Sequence, residues 1–120
     1  MKLEEEVKRF MENKNKSMIT ANTYQIEAKK TAIFPANKAL EYLSLGLVGE
    51  AGEVANKVKK IIRDKKIDVD IANEIGDVLW YCAMLADYLD VNLGKIMEDN
   101  INKLHSRKER GVLGGSGDNR

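Results

Sequence analysis

The chain has 120 residues, of which 43% are hydrophobic, and this is enough for one domain with its own apolar core. Its formal net charge of +1 gives no general attraction to nucleic acids or anionic membranes, so neither is an expected partner. The single cysteine, Cys82, excludes an internal disulfide, and no apolar run is long enough to span a membrane. The N-terminus, which carries Glu4, Glu5 and Glu6, does not resemble a signal peptide, and we therefore expect a cytoplasmic protein.

The first part of the chain predicts two short helices with a polar segment between them. Residues 1–12 form a charged helical lead-in, and residues 13–17 interrupt it. Thr20 or Asn22 can cap the second helix, because either side chain can accept a hydrogen bond from the first turn. Pro35 stops this helix, since proline disfavours helical geometry at the residue before it.

Two long helices and a last amphipathic helix are predicted for the remainder of the chain. Their expected limits are about Asn37 to Ile62, Asp68 or Asp70 to Leu89, and Asn92 to Lys108. Residues 111–120 are rich in glycine and lack the apolar content to form structure alone. No stretch shows strand-like alternation, and short connections favour antiparallel neighbours, so the predicted fold is all-α, an antiparallel helical bundle.

Each of the two predicted long helices carries a pair of acidic residues three positions apart. The pairs are Glu50 with Glu53 and Glu74 with Asp77. On a helix this spacing places both carboxylates on one face, with β-carbons roughly 5–6 Å apart. Apolar residues surround both pairs, and unpaired carboxylates near a core are costly, so four of them imply a shared counter-ion. Mg²⁺, a hard cation that takes oxygen ligands, is the simplest candidate.

Two further patterns predict close packing on these helices. Gly46, Gly49 and Gly52 recur every three residues at a cost in helix propensity, which indicates that a helix or a ligand lies close to them. The second long helix is apolar on nearly all sides from Val78 to Ala86. We expect another subunit to cover this helix, because a chain this short offers little to bury it.

The acidic pairs and their surroundings resemble a known family. Gly49-Glu-Ala-Gly-Glu53, followed by Glu74-Ile-Gly-Asp77, is similar to the signature of MazG-like nucleoside triphosphate pyrophosphohydrolases. Further segments that resemble single-domain members of this family are Tyr24-Gln25, Thr31-Ala-Ile-Phe-Pro35, Leu45-Gly-Leu47, Asp77-Val-Leu-Trp-Tyr81, and Asn100-Ile-Asn-Lys-Leu104 with Arg107. The resemblance implies a MazG-like helical bundle completed by oligomerisation, as a homodimer or homotetramer. Together with the glycine-rich composition of the last ten residues, it divides the chain into a lead-in (1–22), a catalytic helical domain (23–110) and a tail (111–120).

The same resemblance implies an activity and a set of site residues. The activity is hydrolysis of a nucleoside triphosphate to the monophosphate and pyrophosphate, by attack of water on the α-phosphorus. Glu50, Glu53, Glu74 and Asp77 are the implied catalytic and metal-binding residues, with Mg²⁺ as the ion and Mn²⁺ as a substitute. The candidates for phosphate oxygens are Lys57, Lys103 and Arg107, and those for the sugar or base are Tyr81 and Asn100. Lys57 can equally be an ordinary salt-bridge partner of Glu53 at the i,i+4 spacing.

Three alternatives stay open at this point. An isolated Glu-x-x-Glu is usually a solvated helix face, although its repetition on consecutive helices favours a site. A di-iron carboxylate bundle usually contains Glu-x-x-His pairs, and the one histidine, His105, lies outside both acidic motifs. The last alternative is a non-catalytic helical module that binds a nucleotide or a protein, and the intact set of four acids argues against such a degenerate relative.

Overall fold

A computed structural model describes residues 2–12, 17–66 and 70–120 of the chain. Within these ranges there are five α-helices, one 3-10 helix and no β-strand, which confirms the all-α prediction. The α-helices are α1 (Leu3–Glu12), α2 (Ala21–Lys29), α3 (Ala39–Asp64), α4 (Ile71–Tyr88) and α5 (Leu93–Glu109), and the 3-10 helix is Ala36–Lys38. No helix in the described part of the chain is long and apolar enough to cross a membrane.

The predicted helices have the expected order, with small differences at their ends. The long helix expected from residue 37 begins with the 3-10 turn and becomes α-helical at Ala39. Asp70 is the N-cap residue of α4, although its side chain makes no capping hydrogen bond. The other predicted start, Asp68, lies outside the described residues, as do positions 13–16 of the predicted polar break.

Helices α3 and α4 form the centre of the bundle and run antiparallel. Two contacts show the direction: Lys57 of α3 meets Glu74 of α4, and Gly46 of α3 meets Tyr81 of α4. Residue numbers therefore increase along α4 in the direction in which they decrease along α3. Leu43 of α3 is completely buried in the core between them. The buried residues that complete this core come from α2, α4 and α5: Ala28, Ala83, Met84 and Leu93.

Side chains of α2 cap the start of α5, which positions both helices on α4. The backbone N–H of Leu93 donates to Gln25 Oε1 at 2.9 Å, and that of Gly94 donates to Asn22 Oδ1 at 3.0 Å. Asn92 occupies the predicted N-cap position, but its side chain makes no capping hydrogen bond. The N-cap of α2 itself is Thr20, whose hydroxyl accepts from the backbone N–H of Thr23 at 3.1 Å.

The glycine row on α3 has a close neighbour at only one of its three positions. A β-carbon at Gly46 would overlap the ring of Tyr81, so the predicted close packing is correct there. At Gly49 and Gly52 no described atom lies within 4 Å of the place a β-carbon would take, apart from adjacent residues and the nearby backbone of α3 itself. This chain's own helices therefore supply no close neighbour for those two glycines, and the helix or ligand expected beside them stays a prediction.

The apolar segment of α4 is covered more completely by its own chain than its sequence indicates. Ala83, Met84 and Ala86 are buried, and only Leu79, at 47%, is an exposed residue of the stretch between Val78 and Ala86. Helices α2, α3 and α5 all pack on α4, and together they cover it. Helix α1, in contrast, packs against none of the other described helices.

Candidate metal centre

Helices α3 and α4 bring three of the four predicted acids together. One carboxylate oxygen from each of Glu50, Glu74 and Asp77 lies within 4.8 Å of the other two. The antiparallel pairing explains this grouping, because the middle of α3 faces the first turns of α4. The three-residue spacing then directs Glu74 and Asp77 to the same side. Oxygens that share one Mg²⁺, bound at about 2.1 Å, lie roughly 3–4 Å apart. Small rotations of these side chains meet that requirement, so the donor set fits a hard divalent cation.

The electrostatics of the cluster centre on Glu50. Burial is the main cause that raises the pKa of Glu50, followed by the charge of Asp77 and by a hydrogen bond and charge from Glu74. Glu53 adds a smaller contribution, which places this exposed fourth acid near the cluster but outside the group of three. The crowding of negative charge favours a proton on Glu50, because the proton removes one of the repelling charges. A divalent cation bound between the carboxylates would reduce the same repulsion.

Lys57 lies at the edge of the acidic cluster and contacts α4. Its ammonium group is 3.7 Å from Glu74 Oε1 and 3.7 Å from Asp70 Oδ2, and its side chain is only 18% exposed. The structure thus places this lysine against α4, with Glu74 and Asp70 as ion-pair partners. Asp70, which the sequence suggested only as a helix cap, could have been found from its position one turn before Glu74.

A cavity of about 310 Å³ opens beside the cluster and has both acidic and aromatic walls. Glu50 and Asp77 line it together with Thr31, Trp80 and Tyr81. Trp80 is fixed by a hydrogen bond from its indole N–H to Thr31 Oγ1 at 2.8 Å, and its ring meets Tyr81 edge-on at a centroid distance of 5.0 Å. Such a cavity can accept a cation with its anionic ligand at one wall and a planar apolar group at the other.

Neither Thr31 nor Trp80 was among the predicted site residues. Both come to the cavity through tertiary packing, since Thr31 follows α2 and Trp80 lies on α4. A larger cavity of about 490 Å³ lies between α2 and the end of α4. It contains none of the predicted acids, and the Gln25 side chain in its wall is engaged in bonds to Ala83 of α4 and Leu93 of α5.

The three predicted residues of α5 do not line the cavity beside the acids. Asn100 is exposed on α5. Lys103 and Arg107 both contact Asp118 in the C-terminal segment, at 3.3 and 3.2 Å from Oδ1. The structure therefore groups Lys57 and Tyr81 with the acidic residues of α3 and α4, and groups Lys103 and Arg107 with the C-terminal segment.

The fold and the acidic centre define the class of protein: an all-α bundle in which two antiparallel helices present carboxylates suited to a divalent cation. Residues 38–112 match the MazG nucleotide pyrophosphohydrolase domain, and this match spans more than half of the chain. The chain therefore belongs to the MazG family of nucleotide pyrophosphohydrolases, as its motifs predict. It is also similar to "Gene 37 protein" of Mycobacterium phage L5, with 53% identity over 109 residues that cover 81% of this chain and 96% of that protein. No solved structure matches the chain significantly.

Proposed function

We propose that the protein hydrolyses nucleoside triphosphates, with ribose or deoxyribose, to the monophosphate and pyrophosphate in a reaction that depends on Mg²⁺. The observation that carries this proposal is the grouping of Glu50, Glu74 and Asp77 beside an aromatic cavity in a chain of the MazG family. Mn²⁺ is expected to replace Mg²⁺, because it prefers the same oxygen ligands. We further propose that residues 23–110 form the catalytic unit, with 1–22 and 111–120 outside it.

The acidic residues have two roles in this proposal. Glu50, Glu74 and Asp77 hold the cation, with Glu53 as a fourth ligand that a side-chain rotation brings in. When bound, the cation neutralises the triphosphate and stabilises the charge that develops on the leaving pyrophosphate. One carboxylate of the set orients the attacking water towards the α-phosphorus and accepts its proton.

Other residues of the site bind and orient the nucleotide in this proposal. Tyr81 and Trp80 offer the ring surfaces of the cavity to the base or sugar, and Asn100 of α5 is a further candidate for this contact. Lys57 stands beside Glu74, where its ammonium group can bind a phosphate oxygen of a nucleotide held at the acids. Lys103 and Arg107 are the remaining candidates for phosphate oxygens.

We also propose that the protein assembles as a homodimer or homotetramer. Leu45, Val48 and Ile62 of α3 lie outside the core, and their exposed fractions are 74%, 72% and 74%. A second copy of the chain would cover these apolar side chains, and we expect an interface of more than about 1,500 Å² in total. Light scattering at micromolar concentration tests this proposal, and a monomer would contradict it.

The reaction itself is tested by product analysis with a panel of nucleoside triphosphates, in Mg²⁺ and in chelator. We expect monophosphate and pyrophosphate in equal amounts, no diphosphate, and no turnover in chelator. In ¹⁸O-labelled water the label should enter the monophosphate, because the attack is on the α-phosphorus. Label in pyrophosphate would contradict this mechanism. Binding of nucleotides without any turnover would support the non-catalytic alternative instead.

A further inference from the structure

The C-terminal segment folds back onto α5 through a glycine-dependent turn. Gly111 has a positive φ of 70°, and its N–H donates to the carbonyl of Lys108 at 3.2 Å. The N–H of Val112 donates to the carbonyl of Arg107 at 2.8 Å, and the two bonds together make a Schellman motif. The reversal of the chain returns Asp118 to the side chains of Lys103 and Arg107. Polar contacts thus hold a segment whose sequence lacks apolar content.

Arg107 is the buried centre of this arrangement, and its hydrogen bonding is incomplete. The residue is 4% exposed, and Nη2 donates to the carbonyls of Gly117 and Asp118 and to Asp118 Oδ1, at 3.4, 3.2 and 3.2 Å. The Nε atom is buried and has no hydrogen-bond partner among the described residues. A guanidinium group can bind an oxyanion with Nε and Nη2 together, and Asp118 uses only the second of these donors.

Asp118 is a poor match for the two cations that surround it. A single oxygen, Oδ1, contacts both Lys103 and Arg107, and the aspartate side chain is 84% exposed. One carboxylate charge therefore faces two positive charges, and water can replace the contacts of Asp118 at little cost. A phosphate group carries more charge and more acceptor oxygens, so it can satisfy Lys103, Nη2 and the unpartnered Nε of Arg107 together.

We propose that Asp118 is an internal competitor that occupies the Lys103–Arg107 pair in the free protein and is displaced when a phosphate group of a polyphosphate ligand binds there. The inference rests on the proposed function, in which that ligand is the triphosphate of the nucleotide. The C-terminal segment then lowers the apparent affinity for the substrate, since binding must first release Asp118 from the two cations. Release of Asp118 also exposes the Arg107 side chain, which the C-terminal segment covers in the free protein.

The test uses inorganic tripolyphosphate as the probe and isothermal titration calorimetry on the full chain in metal-free buffer. Asp118→Asn keeps the size of the side chain and removes its charge, and we expect it to bind tripolyphosphate about threefold or more tightly than the unmodified protein. Asp99→Asn is the matched control, because Asp99 is an exposed acid of α5 whose partner is Lys95 at 2.8 Å. It removes one negative charge from the helix that carries Lys103 and Arg107, and it should bind as the unmodified protein does. The gain should disappear when Lys103→Gln is combined with Asp118→Asn.

Hydrogen exchange gives a second readout that needs no variant. Tripolyphosphate should increase the exchange of backbone amides between residues 112 and 120, because the segment leaves Arg107. The proposal is overturned if Asp118→Asn binds tripolyphosphate equally tightly, more weakly or not detectably. It is also overturned if Asp99→Asn gains as much affinity for tripolyphosphate as Asp118→Asn does. A large loss of thermal stability in Asp118→Asn would also overturn it, since Asp118 would then be a structural brace. None of these readouts requires turnover, so the outcome is separate from the test of nucleotide hydrolysis.

Discussion

The ring of Tyr81 lies against the backbone of Gly46, in the space that a β-carbon on α3 would fill. This contact joins the two central helices, and it sets the position of one wall of the cavity beside Glu50 and Asp77. A glycine in the middle of a helix costs about 1 kcal/mol relative to alanine. The absence of a side chain at Gly46 therefore lowers helix propensity and gives Tyr81 its place next to the acids.

Gly46→Ala should disturb the site from this position. The added methyl group forces the Tyr81 ring away, and we expect a loss of about 1–3 kcal/mol in the free energy of unfolding, together with a higher KM for the nucleotide. Gly49→Ala is the matched control, since apart from adjacent residues and the nearby backbone of α3 no described atom lies within 4 Å of its β-carbon position. It should leave stability unchanged or raise it by up to about 1 kcal/mol. Thermal melts and steady-state kinetics of both variants decide the matter. A destabilising Gly49→Ala would indicate that a second copy of the chain packs there.

Asp77→Asn should separate binding of the metal from folding. The variant loses one charged ligand, so we expect turnover in Mg²⁺ to fall by about 100-fold or more, and the rise in Tm caused by Mg²⁺ to shrink. Asp87→Asn is the control on the same helix, because Asp87 pairs with Lys29 at 3.0 Å and lines the other cavity. It should keep its turnover and its response to Mg²⁺. If Asp77→Asn gains as much stability from Mg²⁺ as the unmodified protein does, Asp77 is not a metal ligand.

Glu50→Gln should change how stability depends on pH in the absence of metal. Burial, followed by the charges of the neighbouring acids, raises the pKa of Glu50 in the folded protein, so its ionisation there costs more than in the unfolded chain. The folded state is then free of this cost below the ordinary pKa of glutamate, and its stability falls as pH rises through the elevated pKa. Melts in chelator from pH 4 upward should show the variant gaining on the unmodified protein as pH rises. A difference in stability that is the same at every pH would contradict this assignment.

The capping of α5 by α2 predicts that alanine substitutions at two asparagines change stability by different amounts. Asn22→Ala removes the acceptor of the Gly94 N–H bond and should lower the free energy of unfolding by about 1 kcal/mol. Asn92→Ala should change it by much less, because the side chain of Asn92 makes no capping hydrogen bond although it stands at the N-cap. Denaturant unfolding of the two variants, compared with the unmodified chain, gives both values. A larger effect at Asn92 than at Asn22 would show that the helix relies on its own N-cap.

Local physics made the helices and the acidic pairs predictable from the sequence. The hydrophobic period and the Thr20 cap act over a few residues, and so they mark helices without knowledge of the fold. Pro35 does not end α2, which stops at Lys29, and it stands instead at the start of the 3-10 helix. The three-residue spacing of Glu74 and Asp77 places both on one helix face for the same reason. The short connection between two long helices also favoured the antiparallel pairing, and that pairing sets these acids opposite Glu50.

Tertiary packing alone decided which long-range partners the side chains meet. Lys57 lies against Glu74, and Gln25 binds the first turn of α5, because the offset between helices sets these distances. Of three equally spaced glycines, only Gly46 faces Tyr81, since the rotation of α3 on α4 follows from how side chains fill the core. Arg107 meets Asp118 through a chain reversal that places residues eleven positions apart in contact. A local pattern in the sequence carries no information on such distances, because they are fixed by the packing of whole helices.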